Sequence, residues 1–470
     1  MQRHRTEPAV LALDIGTSSV RTTLFDRKAQ PIPGRRASVK YWLRHTPDHG
    51  AELDPAQLLR ATKRCLRLTK SRLRAVAGSG FWHSLLGLDR AGKPLTPIYT
   101  WADSRCAVDA AKLRERFDER VIQQRTGCML RSSFWPAKLI WLRRTEPKLF
   151  RRVARWVSPA EWIFEELFGV RACSHSMASG TGLYDSATNE WDEELLDLLD
   201  LTSAKLNPLR DQEDTYFPAI GDGAASNLGS GASTPGIVAI NVGTSAAVRV
   251  IQRGETPLPF GLFRYVVDVD RKLLGGAVSN AGNLRAWCLR ELRLLPNDRK
   301  IERLLRAPSA RGSRLTILPF WVAERAPTWP EEIPSVVLGL TQSTTAADLL
   351  RAAEAAVCHR LGDILDQLES AIGRAEKVIV SGGILQSPAS LQILADSLGR
   401  DLLTCADQEA SLRGAAVHAL EQAGEKVPSP KPGRPIRHDK IAAARARVER
   451  QRQIELERFF RTATPDDRAP

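Results

Sequence analysis

One strand–turn–strand segment occurs twice in this chain, half a chain apart, and that repeat restricts the fold more than any other feature. Val10-Leu11-Ala12-Leu13 is a short apolar run, Asp14-Ile15-Gly16-Thr17-Ser18-Ser19 is a turn, and Val20 to Phe25 is a second extended run. The pattern returns as Gly236 to Ile240, the turn Asn241-Val242-Gly243-Thr244-Ser245-Ala246-Ala247, and Val248-Arg249-Val250. Short apolar runs joined by a glycine-containing turn read as β-hairpins. Aligning Gly16 with Gly243 pairs Thr17 with Thr244 and Ser18 with Ser245, at an offset of 227 residues in a chain of 470. The return strand reads one residue later in the second copy. A repeat at this spacing predicts two related α/β halves, each opening on its own hairpin.

The rest of the text fits that division. Ser230 to Pro235 is Gly/Ser-rich and ends in proline, so it reads as the junction loop. The expected domains are 1–234 and 235–425, followed by an appendage over 426–470. Residues 55–70 have helical periodicity, and Val76 to Gly80 reads as a strand. Ala346 to Ile372 predicts a long helix, its apolar stripe running through Leu350, Ala353, Val357, Leu361, Ile364 and Leu368. Val378-Ile379-Val380 predicts a buried strand entering Ser381-Gly382-Gly383. Pro428 to Pro435 holds four prolines and reads as a linker, and 439–462 as a basic helix.

Composition removes several function classes. No run of ~18 apolar residues is present to span a membrane. The polar start, Met1 to Val10, lacks the apolar stretch of a signal peptide. The seven cysteines form no CxxC pair, so neither a disulfide framework nor a zinc site is indicated, and a cytoplasmic protein is expected. The net charge of +14 rests on 15 lysines and 53 arginines. Basic stretches lie at Lys63 to Arg74, at Arg143 to Arg155 and in the tail. No RRM, KH or zinc-finger signature accompanies them, so a nucleic-acid partner is not supported and an anionic small molecule is the simpler expectation.

Three groups of residues carry chemistry. At the two Gly-Thr-Ser tips, glycine allows close approach of an anion, while backbone N–H groups and hydroxyls donate to it, as phosphate binding requires. Asp14, beside the first tip, is a candidate to hold Mg²⁺ through water. Asp222, between glycines in Gly221-Asp222-Gly223, has the exposed, approachable carboxylate that accepts a proton in phosphoryl transfer, or is a turn aspartate. The third group is polar and aromatic: Trp82, His83, Trp101, Asp103 and Arg105. Here ring faces can stack on sugar C–H surfaces and polar groups can pair with hydroxyls; alternatively these are core aromatics with a structural Asp103–Arg105 pair.

In order along the chain, these motifs resemble the FGGY carbohydrate kinases, and within them the gluconokinases. The resemblance runs from about Ala9 to Leu420. It rests on Leu13 to Arg21, His83-Ser84-Leu85, Pro94 to Pro97, Trp101 to Arg105, Ala178 to Asp185, Trp191 to Glu194, Gly221 to Ala224, Leu318-Pro319-Phe320, Glu324 to Pro327 and Ser381-Gly382-Gly383. It implies the two-domain, ribonuclease H-like fold of the actin–hexokinase–Hsp70 ATPases, with a cleft between the domains, and an ATP- and Mg²⁺-dependent kinase of a sugar or sugar acid. By resemblance, Gly16, Thr17, Ser18, Gly243, Thr244 and Ser245 clamp the ATP phosphates, and Asp222 is the catalytic base. Gly282, Gly383 and Ser387 meet the adenosine. Trp82, His83, Trp101, Asp103 and Arg105 match the sugar site.

Two departures bear on the substrate. Trp82 stands where the family often has methionine. Arg131-Ser132-Ser133-Phe134 replaces the His-Pro-Met-Ser usual in gluconokinases, so Arg131 is either a partner for a sugar-acid carboxylate or a surface arginine. The expected reaction is phosphorylation of D-gluconate at its terminal hydroxyl, with a pentulose kinase or a non-catalytic sugar-binding regulator as alternatives. Association into a homodimer is left open.

Overall fold

The computed structural model describes residues 9–69, 75–294, 298–306, 315–406 and 409–463. Parts of the basic stretch 63–74 and of the tail therefore lie outside the described residues.

Both hairpins form. Val10–Ile15 pairs antiparallel with Ser19–Phe25, and Ile237–Val242 with Ala246–Arg253. The hairpins do differ by one residue, but in the opposite sense to that read from the sequence. Ile15 pairs with Val20, four residues past the tip glycine, while Val242 pairs with Ala246, three past it, so the second return strand pairs one residue earlier. The likeness extends to topology. Each opening strand also pairs in parallel on its other side, Val10–Ile15 with Ala75–Gly80 and Ile237–Val242 with Lys377–Ser381. Residues 10–15 are buried throughout, as a strand covered on both faces requires.

The first sheet has five strands, ordered Tyr216–Gly221, Ala75–Gly80, Val10–Ile15, Ser19–Phe25 and Pro31–Lys40. The second has seven, ordered Phe263–Asp268, Arg271–Val278, Ala246–Arg253, Ile237–Val242, Lys377–Ser381, Leu402–Cys405 and Pro432–Ile436. Against the second sheet lies the helix Ala346–Ile372, capped by Thr345 through a reciprocal bond pair with Asp348. Its Leu350, Leu361, Ile364 and Leu368 join Val238, Ile240, Val248 and Val378 in one core.

The halves are joined by two helices in close contact. Asp222–Ser230 belongs to the first half, while Ala410–Gln422 belongs to the second yet packs on the first sheet. Glycines set this approach: a Cβ on Gly229 would stand 1.8 Å from the Ala410 carbonyl oxygen, and one on Gly414 1.7 Å from that of Ala225.

The proline-rich segment is not merely a linker. Pro432–Ile436 forms the edge strand of the second sheet, pairing antiparallel with Leu402–Cys405. An edge is where a strand tolerates proline, because the missing N–H leaves no ladder position empty. The basic helix forms as Lys440–Ala463 and docks on the second half, where Gln453 meets His359, Arg450 meets Asp363 and Glu457 meets Arg360. No described helix is long and apolar enough to cross a membrane.

Candidate active site

The two hairpin tips face each other across a cleft of about 1080 Å³. Gly16, Thr17 and Ser18 line it from one side, and Gly243, Thr244 and Ser245 from the other. Each tip is closed by a backbone bond from its glycine N–H, spanning three residues in the first tip and two in the second. The Gly16 N–H donates to the Ser19 carbonyl at 3.0 Å, and the Gly243 N–H to that of Ser245 at 2.9 Å. Such turns leave neighbouring N–H groups free to face an anion.

A second cavity of about 480 Å³ adjoins the Gly243 tip, and Gly282, Gly383 and Ser387 line it. Gly282 begins the helix Gly282–Glu291, and its N–H donates to the Gly243 carbonyl at 3.0 Å. That contact excludes a side chain, since a Cβ there would stand 2.4 Å from the same oxygen. The Ser387 hydroxyl caps the helix Pro388–Leu398 and also bonds Glu302, so its donor is engaged within the protein.

Asp222 is the first residue of its helix, directly after the strand Tyr216–Gly221, and faces the cleft. Its Oδ1 accepts from the Gly223 N–H at 2.8 Å. Desolvation raises its pKa above the ordinary aspartate value, Asp14 adds to the rise, and Arg249 opposes it. The carboxylate is thus a stronger base than one in water.

The rest of the cleft wall is largely aromatic. Trp82 is wedged against the chain beneath Asp222, where a Cβ on Gly221 would stand 1.7 Å from its ring, and its Nε1–H donates to the Ser176 carbonyl at 2.9 Å. His83 takes a left-handed backbone, φ 67°. Burial lowers its pKa to about 3, so the ring is neutral; Nδ1–H donates to the Gly180 carbonyl at 2.5 Å and Nε2 faces the Tyr265 hydroxyl. The Trp101 Nε1–H donates to the Thr17 hydroxyl at 3.2 Å, tying this wall to the first tip. Sequence reading passed over Tyr265, and noted Arg249 and Arg325 only as letters within motifs. The one signal for Arg249 was a charge amid the apolar strand Ala246–Arg253.

A model of the FGGY N-terminal domain matches residues 9–248, and one of the C-terminal domain matches residues 238–423. The chain belongs to the FGGY family of carbohydrate kinases. It is 28% identical to the gluconokinase of Bacillus subtilis (strain 168), over 88% of each chain. To the glycerol kinase of Thermus brockianus it is 30% identical, over 87% of this chain and 88% of that one. The crystal structure of gluconate kinase from Lactobacillus acidophilus superposes with a TM-score of 0.89 at 23% identity, over 97% of this chain and 98% of that one, a likeness of fold.

Four residues assigned to the site from this kinase's sequence sit elsewhere or are already engaged. Asp103 and Arg105 pair with each other, Arg105 Nε to Asp103 Oδ1 at 3.0 Å, and do not line the cleft. Arg105 also binds Glu52 at 2.8 Å and lies over the Trp141 ring, so the structural alternative holds for this pair. Arg131 meets no open space for a sugar acid: Glu119 at 2.9 Å and Glu331 at 3.0 Å occupy its guanidinium, and it too lies outside the cleft lining. Asp14 is buried behind its tip, one oxygen accepting from Ser79 and the other from Arg21. In this structure Asp14 does not itself line the cleft, and no cluster of three metal-ligating side chains exists among the described residues.

Proposed function

We propose that this FGGY kinase transfers the γ-phosphoryl group of MgATP to the terminal hydroxyl of D-gluconate in the cytoplasm, giving 6-phospho-D-gluconate and ADP. The observation that carries this reading is the placing of Asp222, a carboxylate of raised basicity, in one cleft with both Gly-Thr-Ser tips. Asp222 accepts the proton of the acceptor hydroxyl as its oxygen attacks the γ-phosphorus, and the bond from that phosphorus to the β–γ bridging oxygen breaks. The tip N–H groups and hydroxyls stabilise charge on the transferring group. Mg²⁺ belongs to the nucleotide substrate, where it neutralises phosphate charge. Gly282 and Gly383 flank the cavity proposed for adenosine.

Two things favour gluconate: the gluconokinase relative and the arginines Arg249 and Arg325, which give the cleft positive charge. The cytoplasmic placement is supported by seven cysteines that are all free and buried, as in a reducing compartment. The glycerol kinase relative favours a neutral acceptor as the second reading.

A coupled assay of ADP release with gluconate, xylulose, ribulose and glycerol tests the choice. Gluconate is expected to have the highest kcat/KM. A higher value for a neutral acceptor would replace the substrate, and turnover of none would remove the kinase reading.

A further inference from the structure

The cleft holds a cation that the phosphoryl-transfer machinery leaves unexplained. Arg249 leaves the strand Ala246–Arg253 and runs into the cleft, yet its guanidinium has no hydrogen-bond or ion-pair partner among the described residues, and its Nε is fully buried. Arg249 is half-buried, so the buried Nε lacks a protein partner while the terminal nitrogens open into the cleft, where a bound anion can meet them.

The path of the side chain is built. Two glycines make the lane. On the neighbouring strand, a Cβ at Gly275 would stand 3.0 Å from Arg249 Cγ; at the start of the Asp222 helix, one at Gly223 would stand 2.8 Å from Arg249 Nε. Any other residue at Gly223 would crowd both the Trp82 ring, at 2.7 Å, and the guanidinium.

Arg325 completes the arrangement. It lies 5.0 Å over the Trp101 ring, with Nε donating to the Ser279 hydroxyl at 3.1 Å and Nη2 to the Val278 carbonyl at 3.2 Å. Those partners are neutral, so they fix the side chain without cancelling its charge. Desolvation lowers both guanidinium pKa values from the ordinary one, and for Arg249 the Arg325 charge adds to it; both remain protonated at any physiological pH. Asp222 faces both arginines across the cleft, with no ion pair joining it to either, and the Glu324 carboxylate acts on Arg325 from behind. Among the described residues neither guanidinium is joined to a carboxylate by a direct ion pair, so each has donors left for a bound anion.

We propose that Arg249, with Arg325 beside it, binds the carboxylate of an aldonic acid and so makes this kinase selective for sugar acids over neutral sugars. The inference rests on the sugar-kinase reading above and adds the residue that reads the acid. The carboxylate, rather than the γ-phosphoryl group, is the chosen occupant. Both arginines act on Tyr265, whose hydroxyl faces His83 on the aromatic wall, whereas the two tips offer the backbone N–H groups suited to phosphate.

The test compares D-gluconate with D-sorbitol, the same chain with CH₂OH in place of the carboxylate. Equilibrium binding to the whole protein is measured by calorimetry, alongside kcat and KM, for the wild type and for Arg249→Met and Arg249→Lys. The wild type is expected to favour gluconate by about tenfold or more, the worth of a charge-assisted bond. Arg249→Met is expected to lose most of that preference through KM, and Arg249→Lys to restore part of it. ADP affinity serves as the check on folding.

Retention of the preference in Arg249→Met overturns the assignment while leaving a gluconate kinase. A fall in kcat shared by all acceptors, with the preference intact, also overturns it and gives Arg249 to the phosphoryl group. A wild type that turns over neutral sugars and prefers sorbitol overturns both the assignment and the gluconate reading.

Discussion

Arg360 and Glu457 form a buried ion pair, Nη1 to Oε2 2.7 Å, that ties the C-terminal helix to a loop entering the cleft. Their side chains are 2% and 8% exposed. Arg360 Nη2 donates to the Ala326 carbonyl at 3.0 Å and to the Thr328 hydroxyl at 3.1 Å, and Thr328 also bonds Glu457. Ala326 follows Arg325, and Trp329 lines the cleft. The helix begins beyond residue 423, where the family match ends, yet it holds residues next to the site.

Glu457→Ala is therefore expected to cost about 3–5 kcal/mol in urea denaturation, because it leaves the Arg360 charge buried and unpaired. The acceptor KM should rise as the 326–329 loop loosens, while the KM for ATP changes little. Arg360→Met combined with Glu457→Leu should recover much of the stability, since an apolar pair removes both desolvation penalties. Equal stability in wild type and Glu457→Ala would show that the pair contributes nothing.

Asp222→Asn should separate stability from activity. The folded protein raises this carboxylate's pKa, so it binds the proton more tightly than the unfolded chain does. Stability from this group then declines as pH rises from the unfolded value through the folded one, so above the unfolded value the group is a net penalty. The amide carries no such charge, so the variant should melt higher at pH 7. It should also lose about 10²–10⁴-fold in kcat while still binding nucleotide. In the wild type, the acid limb of kcat/KM should lie above the ordinary aspartate range. Near-normal turnover by Asp222→Asn would remove it as the base.

Gly243 provides a probe of the phosphate tip that leaves the fold alone. A Cβ there meets nothing nearer than the Ser245 carbonyl oxygen at 3.8 Å, and the backbone is not left-handed. Gly243→Ala is expected to melt like the wild type but to raise the KM for ATP about tenfold or more, because the methyl group keeps phosphate from the backbone N–H groups. Gly282→Ala instead places a methyl 2.4 Å from the Gly243 carbonyl oxygen and should lower stability as well. Unchanged ATP affinity in Gly243→Ala would place the phosphates elsewhere.

The contrast between these residues marks what the sequence made legible. The hairpins and the helix Ala346–Ile372 were readable because their signals are local: apolar runs with a glycine turn, and a stripe of period 3.6. Asp103 and Arg105 were misplaced because an internal pair and a ligand-binding pair have the same local text. Arg131 finds Glu331 two hundred residues away, a partner that no spacing rule supplies. The edge strand Pro432–Ile436 exists through its pairing with Leu402–Cys405, while its prolines spell a linker. Arg249 was hidden in a strand, since a sequence without its sheet neighbours does not say that Gly223 and Gly275 clear a path for it.

His359 should make docking of the C-terminal helix sensitive to acid. Its Nδ1 contacts Gln453 Oε1 at 3.1 Å and therefore carries the proton of a neutral ring. Burial lowers its pKa to about 4; the Gln453 bond opposes that shift and the Arg450 charge adds to it. The unfolded histidine, near 6.5, takes up a proton that the folded one refuses between those values, so stability from this group is complete above pH 6.5 and is lost as pH falls toward 4. His418, also lowered to about 4, and His83, lowered to about 3, act in the same direction, so His359→Gln should remove only part of the acid sensitivity. Its share is distinguishable by place, because His359 alone of the three contacts the C-terminal helix. Limited proteolysis at pH 5 should release that helix faster from wild type than at pH 7.5, and the ratio of the two rates should shrink in His359→Gln. An unchanged ratio would mean that protonation at this contact does not govern docking.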